Sequence, residues 1–285
     1  MHTKHLLVLL FFFAKFHNYS GCSSSGDKNK FTSPELYDLN TPYKMELPSG
    51  LNEISGISYY PKDSSVFAEI DEDGILFKIF LNQNKKILQW RFDKKHDFED
   101  IVMHDSLFYL LISNGDIETV KFEKDSILTD KLKFPDADKK TNEFETLYWD
   151  DDYKKLVMLC KDCEDDKKKI VSAWGIDSST YSSSLYSIDV KPVAQKIGED
   201  KLHLKPSAAA INPLTNELYI LCSVNKLLVV TDRKGNFKNV YQLDPEIYKQ
   251  PEGITFTPWG DLLISNEAGE EGSADILIFK PKKKG

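Results

Sequence analysis

From residue 52 onward, apolar and polar residues alternate in short runs such as "SGISYY", "SVFAEI" and "ILFKIF", separated by clusters of Pro, Asp, Asn and Gly. A period of two bounded by turn residues predicts β-strands, and the three-to-four spacing of an amphipathic helix is nearly absent. The stretch "KQPEGITFTPWGDLLISNEA", residues 249 to 268, shows the unit: a Glu beside a Gly, a strand, a turn, then a second apolar strand ending in Ser265, Asn266 and Glu267. Gly253 accounts for a backbone bend at the strand start. Glu252, a carboxylate in the same place, needs another reason.

The unit recurs. "NEISGISYYPKDSSVFAEI" begins at Asn52, "HDFEDIVMHDSLFYLLIS" at His96, "NEFETLYWDDDYKKLVMLC" at Asn142, "LKPSAAAINPLTNELYILC" at Leu204 and "KQPEGITFTPWGDLLISNE" at Lys249. The aligned position holds Ser55, Glu99, Glu145, Ser207 and Glu252, about 44, 46, 62 and 45 residues apart. That spacing is the length of a β-propeller blade. Third strands are legible as "GILFKIFL", "DIETVKF", "SSLYSIDV", "KLLVVTD" and "DILIFKP", and fourth strands as Ile87 to Phe92, Lys131 to Phe134, Leu202 to Leu204 and Val240 to Leu243.

The last copy runs out at Lys280 without a fourth strand, while "PYKMELPSG" at residues 42 to 50 has a strand's character and no blade of its own. The expected fold is therefore an all-β propeller of five four-stranded blades, closed into a ring by an N-terminal strand, which removes two exposed sheet edges. A sixth blade concealed in the long third copy is the alternative. Its surplus, Lys161 to Ser184, is charged and Ser-rich and reads as an insertion.

The chain has 285 residues, 41% hydrophobic and 29% charged, which is a folded globular profile. A net charge of −8 removes the counterion-release attraction of phosphate backbones and excludes nucleic acid as a partner. The apolar run Leu6 to Ala14, preceded by His2, Lys4 and His5, is too short to span a bilayer and suits a signal-peptide core. It leads to Ser20-Gly21-Cys22, which resembles a bacterial lipobox, although Tyr19 stands where an aliphatic residue is usual. The expected organisation is a signal peptide over residues 1–21, a tether over 22–31 lipidated at Cys22, and a propeller over 32–285. Such a chain is exported to the bacterial cell envelope and touches a membrane, outer or periplasm-facing, through its lipid alone.

Cys160 and Cys163 form a C-x-x-C in "VMLCKDCEDD", which suits a metal half-site, a disulfide, a redox pair or no special role. With only Cys222 left as a further ligand and an acidic Glu164, Asp165, Asp166 following, two ordinary cysteines are the plainest reading, and a disulfide the next.

In a propeller the first strand of each blade lines the central channel, so Glu99, Glu145 and Glu252, with Ser55 and Ser207, form a ring at one mouth. Two residues upstream lie Glu53, Asp97, Glu143, Lys205 and Gln250, on the same strand face if the segment is extended. Like charges near an axis raise one another's pKa and destabilise the fold unless a proton or cation compensates. Ca2+, which accepts six to eight oxygens in flexible geometry, suits such a ring. Water and backbone donors are the other way to satisfy it. "DEDG" at residues 71 to 74 reads as a hairpin turn.

The ordered series "EISGI", "DFEDI", "FETL", "KPSAAA", "PEGITF" and "LLISNE" resembles the SdiA-regulated family of bacterial envelope proteins, over roughly residues 42 to 281. The resemblance implies a five-bladed propeller similar to NHL-repeat propellers, with a calcium site and no established catalysis. It places the metal ligands at Glu99, Glu145 and Glu252, supported by Glu53, Ser55 and Ser207. Asp100 and Thr146 replace the glycine usual after Glu. Two function classes follow: a noncatalytic envelope module binding calcium and an unknown small ligand or envelope protein, or a calcium-dependent hydrolase, phytase-like or lactonase. The second would want basic residues around a phosphoester, where only Lys161 and Lys205 fall near the mouth and the chain has two arginines, Arg91 and Arg233. A lactonase would instead want a separate acid/base carboxylate, for which Asp71 and Glu267 are placed. Asp97, Glu143 and Asn266 complete the candidate lining.

Overall fold

The computed structural model describes residues 31–82, 86–124, 126–135, 141–177, 181–269 and 272–283. Cys22, the signal segment and most of the tether lie outside these residues. The chain forms five four-stranded antiparallel sheets, the blades of one propeller. Strand β1 (Tyr43–Glu46) comes first. Blade one is β2 (Ile54–Tyr60), β3 (Ser65–Ile70), β4 (Asp73–Phe80) and β5 (Ile87–Arg91), and blade two is β6 (Phe98–His104), β7 (Leu107–Ile112), β8 (Ile117–Phe122) and β9 (Ile127–Leu132). Blade three is β10 (Asn142–Asp150), β11 (Lys155–Cys163), β12 (Ile170–Ile176) and β13 (Tyr181–Asp189), followed by helix α1 (Val190–Ile197). Blade four is β14 (Ala208–Ile211), β15 (Leu218–Cys222), β16 (Leu227–Thr231) and β17 (Phe237–Gln242). Blade five is β18 (Pro251–Phe256), β19 (Leu262–Asn266) and β20 (Asp275–Phe279), completed by β1.

Strands buried on both faces read as continuous apolar runs. "LYILC" and "LLVVT", β15 and β16, are buried at every position. Each blade therefore needs an apolar neighbour on both sides. Five separate hydrophobic clusters supply this, one between each pair of adjacent blades. The innermost strands β2, β6, β10, β14 and β18 touch in sequence around the ring, with β18 returning to β2.

Closure follows the expected route: β1 pairs antiparallel with β20, from Tyr43 opposite Ile278 to Glu46 opposite Asp275. The segment before β1 is locked in as well. Tyr37 is fully buried; its hydroxyl donates to Gly260 O at 2.7 Å and accepts from Asn212 Nδ2 at 3.1 Å. Tyr248 donates to Leu39 O at 2.8 Å.

Blade three departs from the expectation. Its third strand is β12, "IVSAWGI", and "SSLYSIDV" belongs to the fourth, β13, so the described part of Lys161 to Ser184 carries β12 and the start of β13 and is not an insertion. The added length lies in the nine-residue strands β10, β11 and β13 and in α1. Small and polar residues hid β12, and the serines of β13 masked a strand that pairs along its length with β12. Leu202 and Leu204 form no strand but pack in the cluster beside α1. Helix α1 starts because Asp189 accepts from Lys191 N at 2.9 Å and stops at Gly198, whose φ of 77° suits glycine. The fourth strand of blade two starts earlier than the expected Lys131, at Ile127.

Deleting residues 32–50 should abolish cooperative unfolding near the parent melting temperature, because β20 loses its partner strand and the pocket beside Gly260 and Asn212 loses Tyr37. Tyr37→Ala alone should cost about 3–5 kcal/mol in chemical denaturation, as for other large buried aromatics. A truncated chain melting like the parent would show that the ring does not depend on this closure.

Candidate functional site

A β-bulge at the start of the inner strands answers the question posed by Glu252. In blade two the register passes from Phe98 opposite Ile112 to Asp100 opposite Leu111, leaving Glu99 without a cross-strand partner. Glu145 is skipped in the same way between Phe144 and Thr146, and Glu252 between Pro251 and Gly253. Blade one has its bulge at Ser55 and Gly56, between Ile54 and Ile57. A bulge frees one residue from the ladder and re-aims its side chain. The aligned carboxylates are thus extra residues, displaced at one end of the channel.

The glycine that follows is a packing requirement. A Cβ on Gly253 would lie 2.6 Å from Ser55 O, and one on Gly56 would lie 2.6 Å from Asp100 Cα. Asp100, standing where glycine is usual, keeps the bulge geometry: its carboxylate accepts from Ile101 N at 2.8 Å and Leu147 N at 2.7 Å, joining blade two to blade three. Thr146 is fully buried with its hydroxyl unpartnered.

Asp71, Asp97 and Glu99 each offer a carboxylate oxygen, all within 4.8 Å of one another. Two oxygens bound to one Ca2+ at 2.3–2.6 Å are separated by at most about 5 Å, so the three match one ion. Burial and the neighbouring Asp97 push Glu99 up to about 10. Asp71 rises to about 7 through burial and a hydrogen bond with Asp97, which requires a shared proton. Beside them is Glu69, fully buried. Its Oε1 accepts from Gly56 N at 2.7 Å, its Oε2 has no partner, and burial raises its pKa to about 8. Asp71 Oδ1 is likewise buried and unpartnered.

Blade three is compensated from within. Lys161 Nζ donates to Glu143 Oε1 at 2.7 Å and forms a close ion pair with Glu145. Lys161 is flanked by Cys160 and Cys163, which are joined in a disulfide, so the C-x-x-C is neither a pair of ordinary cysteines nor a metal half-site. Cys222 is a buried free thiol.

The other anticipated residues divide. Glu252, raised to about 7 chiefly by burial, is hydrogen-bonded to Ser223 and feels Glu267, Lys161 and Lys226. Glu267 accepts from Gln250 Nε2 at 2.8 Å and is raised by burial and by Glu53. Ser207 donates to Pro251 O at 2.9 Å and accepts from Ser223 N, linking blades four and five. Ser55 is buried, and its carbonyl accepts from Ser265 Oγ at 2.8 Å. Asn266 is buried and donates to Ile247 O and Asp275 Oδ1. Lys205 pairs with Asp162 at 3.0 Å. Glu145 and Glu252 lie outside the three-carboxylate group. The two arginines are engaged elsewhere, Arg233 with Asp150 and Asp152 and Arg91 with Asp73.

Glu69 was not anticipated. After the bulges, the pairings put Leu111, Leu159, Leu221 and Ser265 opposite Asp100, Thr146, Ala208 and Gly253. Glu69 is the only carboxylate at that place, and a lone charge in "SVFAEI" was its signal. The opposite mouth forms a funnel of about 820 Å³ lined by Tyr59, Met103, His104, Trp149, Arg233 and Phe256 among others.

The profile of the SdiA-regulated family matches residues 35–269, and the chain belongs to that family. No curated protein matches it in sequence. Among solved structures, glutaminyl cyclase from Myxococcus xanthus superposes with a TM-score of 0.57 at 12% identity, over 85% of this chain and 96% of the other. The PQQ-bound form of aldose sugar dehydrogenase from Streptomyces coelicolor gives 0.50 at 11%, over 88% and 100%. Likenesses at this identity report a shared fold and no more.

The raised carboxyls set a sign for pH dependence. Glu99, Glu69 and Asp71 hold protons in the folded chain above their ordinary values of 4.5, 4.5 and 3.8, with folded values of about 10, 8 and 7. Their contribution is full below the ordinary values and is lost as pH rises through the folded ones. With chelator present, the melting temperature should fall as pH rises from 4.5 through 7 to 8, and Glu99→Gln should flatten the slope. A slope unchanged by Glu99→Gln would show that Glu99 ionises normally.

Proposed function

We propose that this protein is a lipid-anchored propeller of the bacterial cell envelope that binds calcium at its acidic mouth and serves as a noncatalytic binding module for an envelope ligand or protein. The observation that carries the metal reading is Glu69: a fully buried carboxyl with one unpartnered oxygen, beside Asp71, Asp97 and Glu99 at ion-binding separation. Carboxyls crowded in this way are neutral by protonation or charged around a cation. All donors are hard oxygens, which favours calcium over zinc. Asp71, Asp97 and Glu99 would hold the ion, with Glu69 behind them and Glu252 and Glu145 further around the mouth. The ion would supply positive charge on the channel axis, to which an anionic or carbonyl group of a partner can bind.

The binding-module reading is supported by what the mouth lacks. Arg233 and Arg91 are paired with aspartates elsewhere and Lys161 with two glutamates, so none of these three is free for a phosphoester. The anchoring part rests on Ser20-Gly21-Cys22 following an apolar core. No helix of the described residues is long and apolar enough to cross a membrane.

Calcium should raise the melting temperature by mass action, equivalent to about 2.7 kcal/mol at a hundredfold excess over Kd, and chelator should reverse it. Glu99→Gln should weaken calcium binding yet leave the ion-free domain as stable or more so, because the cost of protonating a buried carboxyl on folding is removed. Equal losses in both states would make Glu99 a structural acceptor and end the metal reading. Separately, Cys22→Ala should move the protein from the membrane to the soluble envelope fraction or leave it unprocessed. Unchanged processing and fractionation would rule out lipidation there.

A further inference from the structure

We propose that Lys161 is a tethered cation that competes with a divalent ion for the acidic mouth, and that the Cys160–Cys163 disulfide clamps it in that position. This rests on the calcium reading above and adds what sets the affinity of that site.

The geometry begins with two irregularities facing each other. Glu143 pairs with Asp162 and Phe144 with Cys160, which leaves Lys161 without a partner on β11, just as Glu145 is without one on β10. The two displaced residues meet through their side chains. Lys161 is 15% and Glu145 13% exposed, so the pair is shielded from bulk water, and the ammonium also holds Glu143 at 2.7 Å. Its reach is not confined to blade three: Glu145 is the bulge counterpart of Glu99, and the inner strands β10 and β6 that carry the two are neighbours in the ring. The ammonium therefore draws on the same negative potential that a metal at Asp71, Asp97 and Glu99 would use.

Two constraints keep it there. The disulfide closes a four-residue ring around Lys161 and Asp162. Within that ring Lys161 is fixed to Glu143 and Glu145, while Asp162 is fixed on the other side by Lys205 at 3.0 Å and His203 at 3.6 Å, from the segment before β14. A lysine on a free strand end would lose side-chain entropy to hold this pose; the ring has already removed the backbone part of that cost. Lys161 thus lets the mouth fold without an ion. The same charge repels an incoming ion, so it lowers affinity while it stabilises the ion-free state.

The test uses the processed full-length chain with calcium alone as the probe, by titration calorimetry at low ionic strength and by thermal melts in chelator. Lys161→Met should bind calcium roughly tenfold tighter, since removing one like charge from the same partly shielded mouth as a divalent ion is worth about that. It should also melt lower in chelator, because Glu143 and Glu145 lose their counter-charge. Lys161→Arg, which keeps the charge, should bind as the parent does and guards against a mere folding defect. The pair Cys160→Ser, Cys163→Ser should tighten binding severalfold alone and add nothing to Lys161→Met.

If the parent binds calcium and Lys161→Met binds it equally or more weakly, competition is overturned and the calcium site stands. If neither binds while Lys161→Met still melts lower in chelator, the calcium reading fails and competition falls with it, leaving Lys161 a structural counter-charge. A serine pair as effective with Lys161→Met as without it would overturn the clamp.

Discussion

Each blade is apolar on both faces, and this constraint organises the molecule. A sheet such as β14 to β17 cannot leave either face in water, so it is stable only between two neighbours, and a chain of such sheets has two unsatisfied faces until its ends meet. Five interblade clusters, the last uniting Leu47, Leu51, Ile57 and Ala274 across the junction of blades five and one, show the requirement met all round. The strand that completes blade five comes from the N-terminus, so the ring closes only when β20 meets β1. Ring closure also fixes where chemistry can occur. It brings the inner strands together along one axis, and anything displaced from their first residues shares one small volume.

The bulges convert that crowding into a site. Were Glu99, Glu145 and Glu252 paired in register, their side chains would pack between blades, where an unpaired carboxylate is costly. Being extra residues, they leave the blade faces to Phe98, Phe144 and Ile254, which are buried. Blade one achieves a related result with different residues, for its bulge leaves Gly56 N free to bond Glu69. The resulting charge is compensated unevenly: blade three carries its own ammonium, while on blades one and two burial raises Glu69, Asp71 and Glu99 toward their neutral forms.

Much of this was legible in the sequence because the repeat is local. A Glu or Ser before a strand, a turn, and a second apolar run recur at blade spacing, and the missing last strand points to its substitute at residues 42 to 50. Blade three resisted because its outer strands are built from serines and small residues, which can pair as strands without showing an apolar period. Glu69 was hidden because one charge in a buried strand is unremarkable until its neighbours are known. Lys161 could be placed near the mouth by alignment, but its partners depend on two bulges facing each other.

The sequence by itself pointed to five blades, with six as the alternative, and to closure by an N-terminal strand, since both follow from a periodic pattern and from the count of strands. The tertiary structure alone decided which carboxyls stand within reach of one ion, that Cys160 and Cys163 join, and that Glu145 is held by Lys161 and not left open. Those outcomes depend on ångström separations between residues of different strands and blades. Bulges and interblade packing set such separations, and neither is encoded in the spacing along the chain.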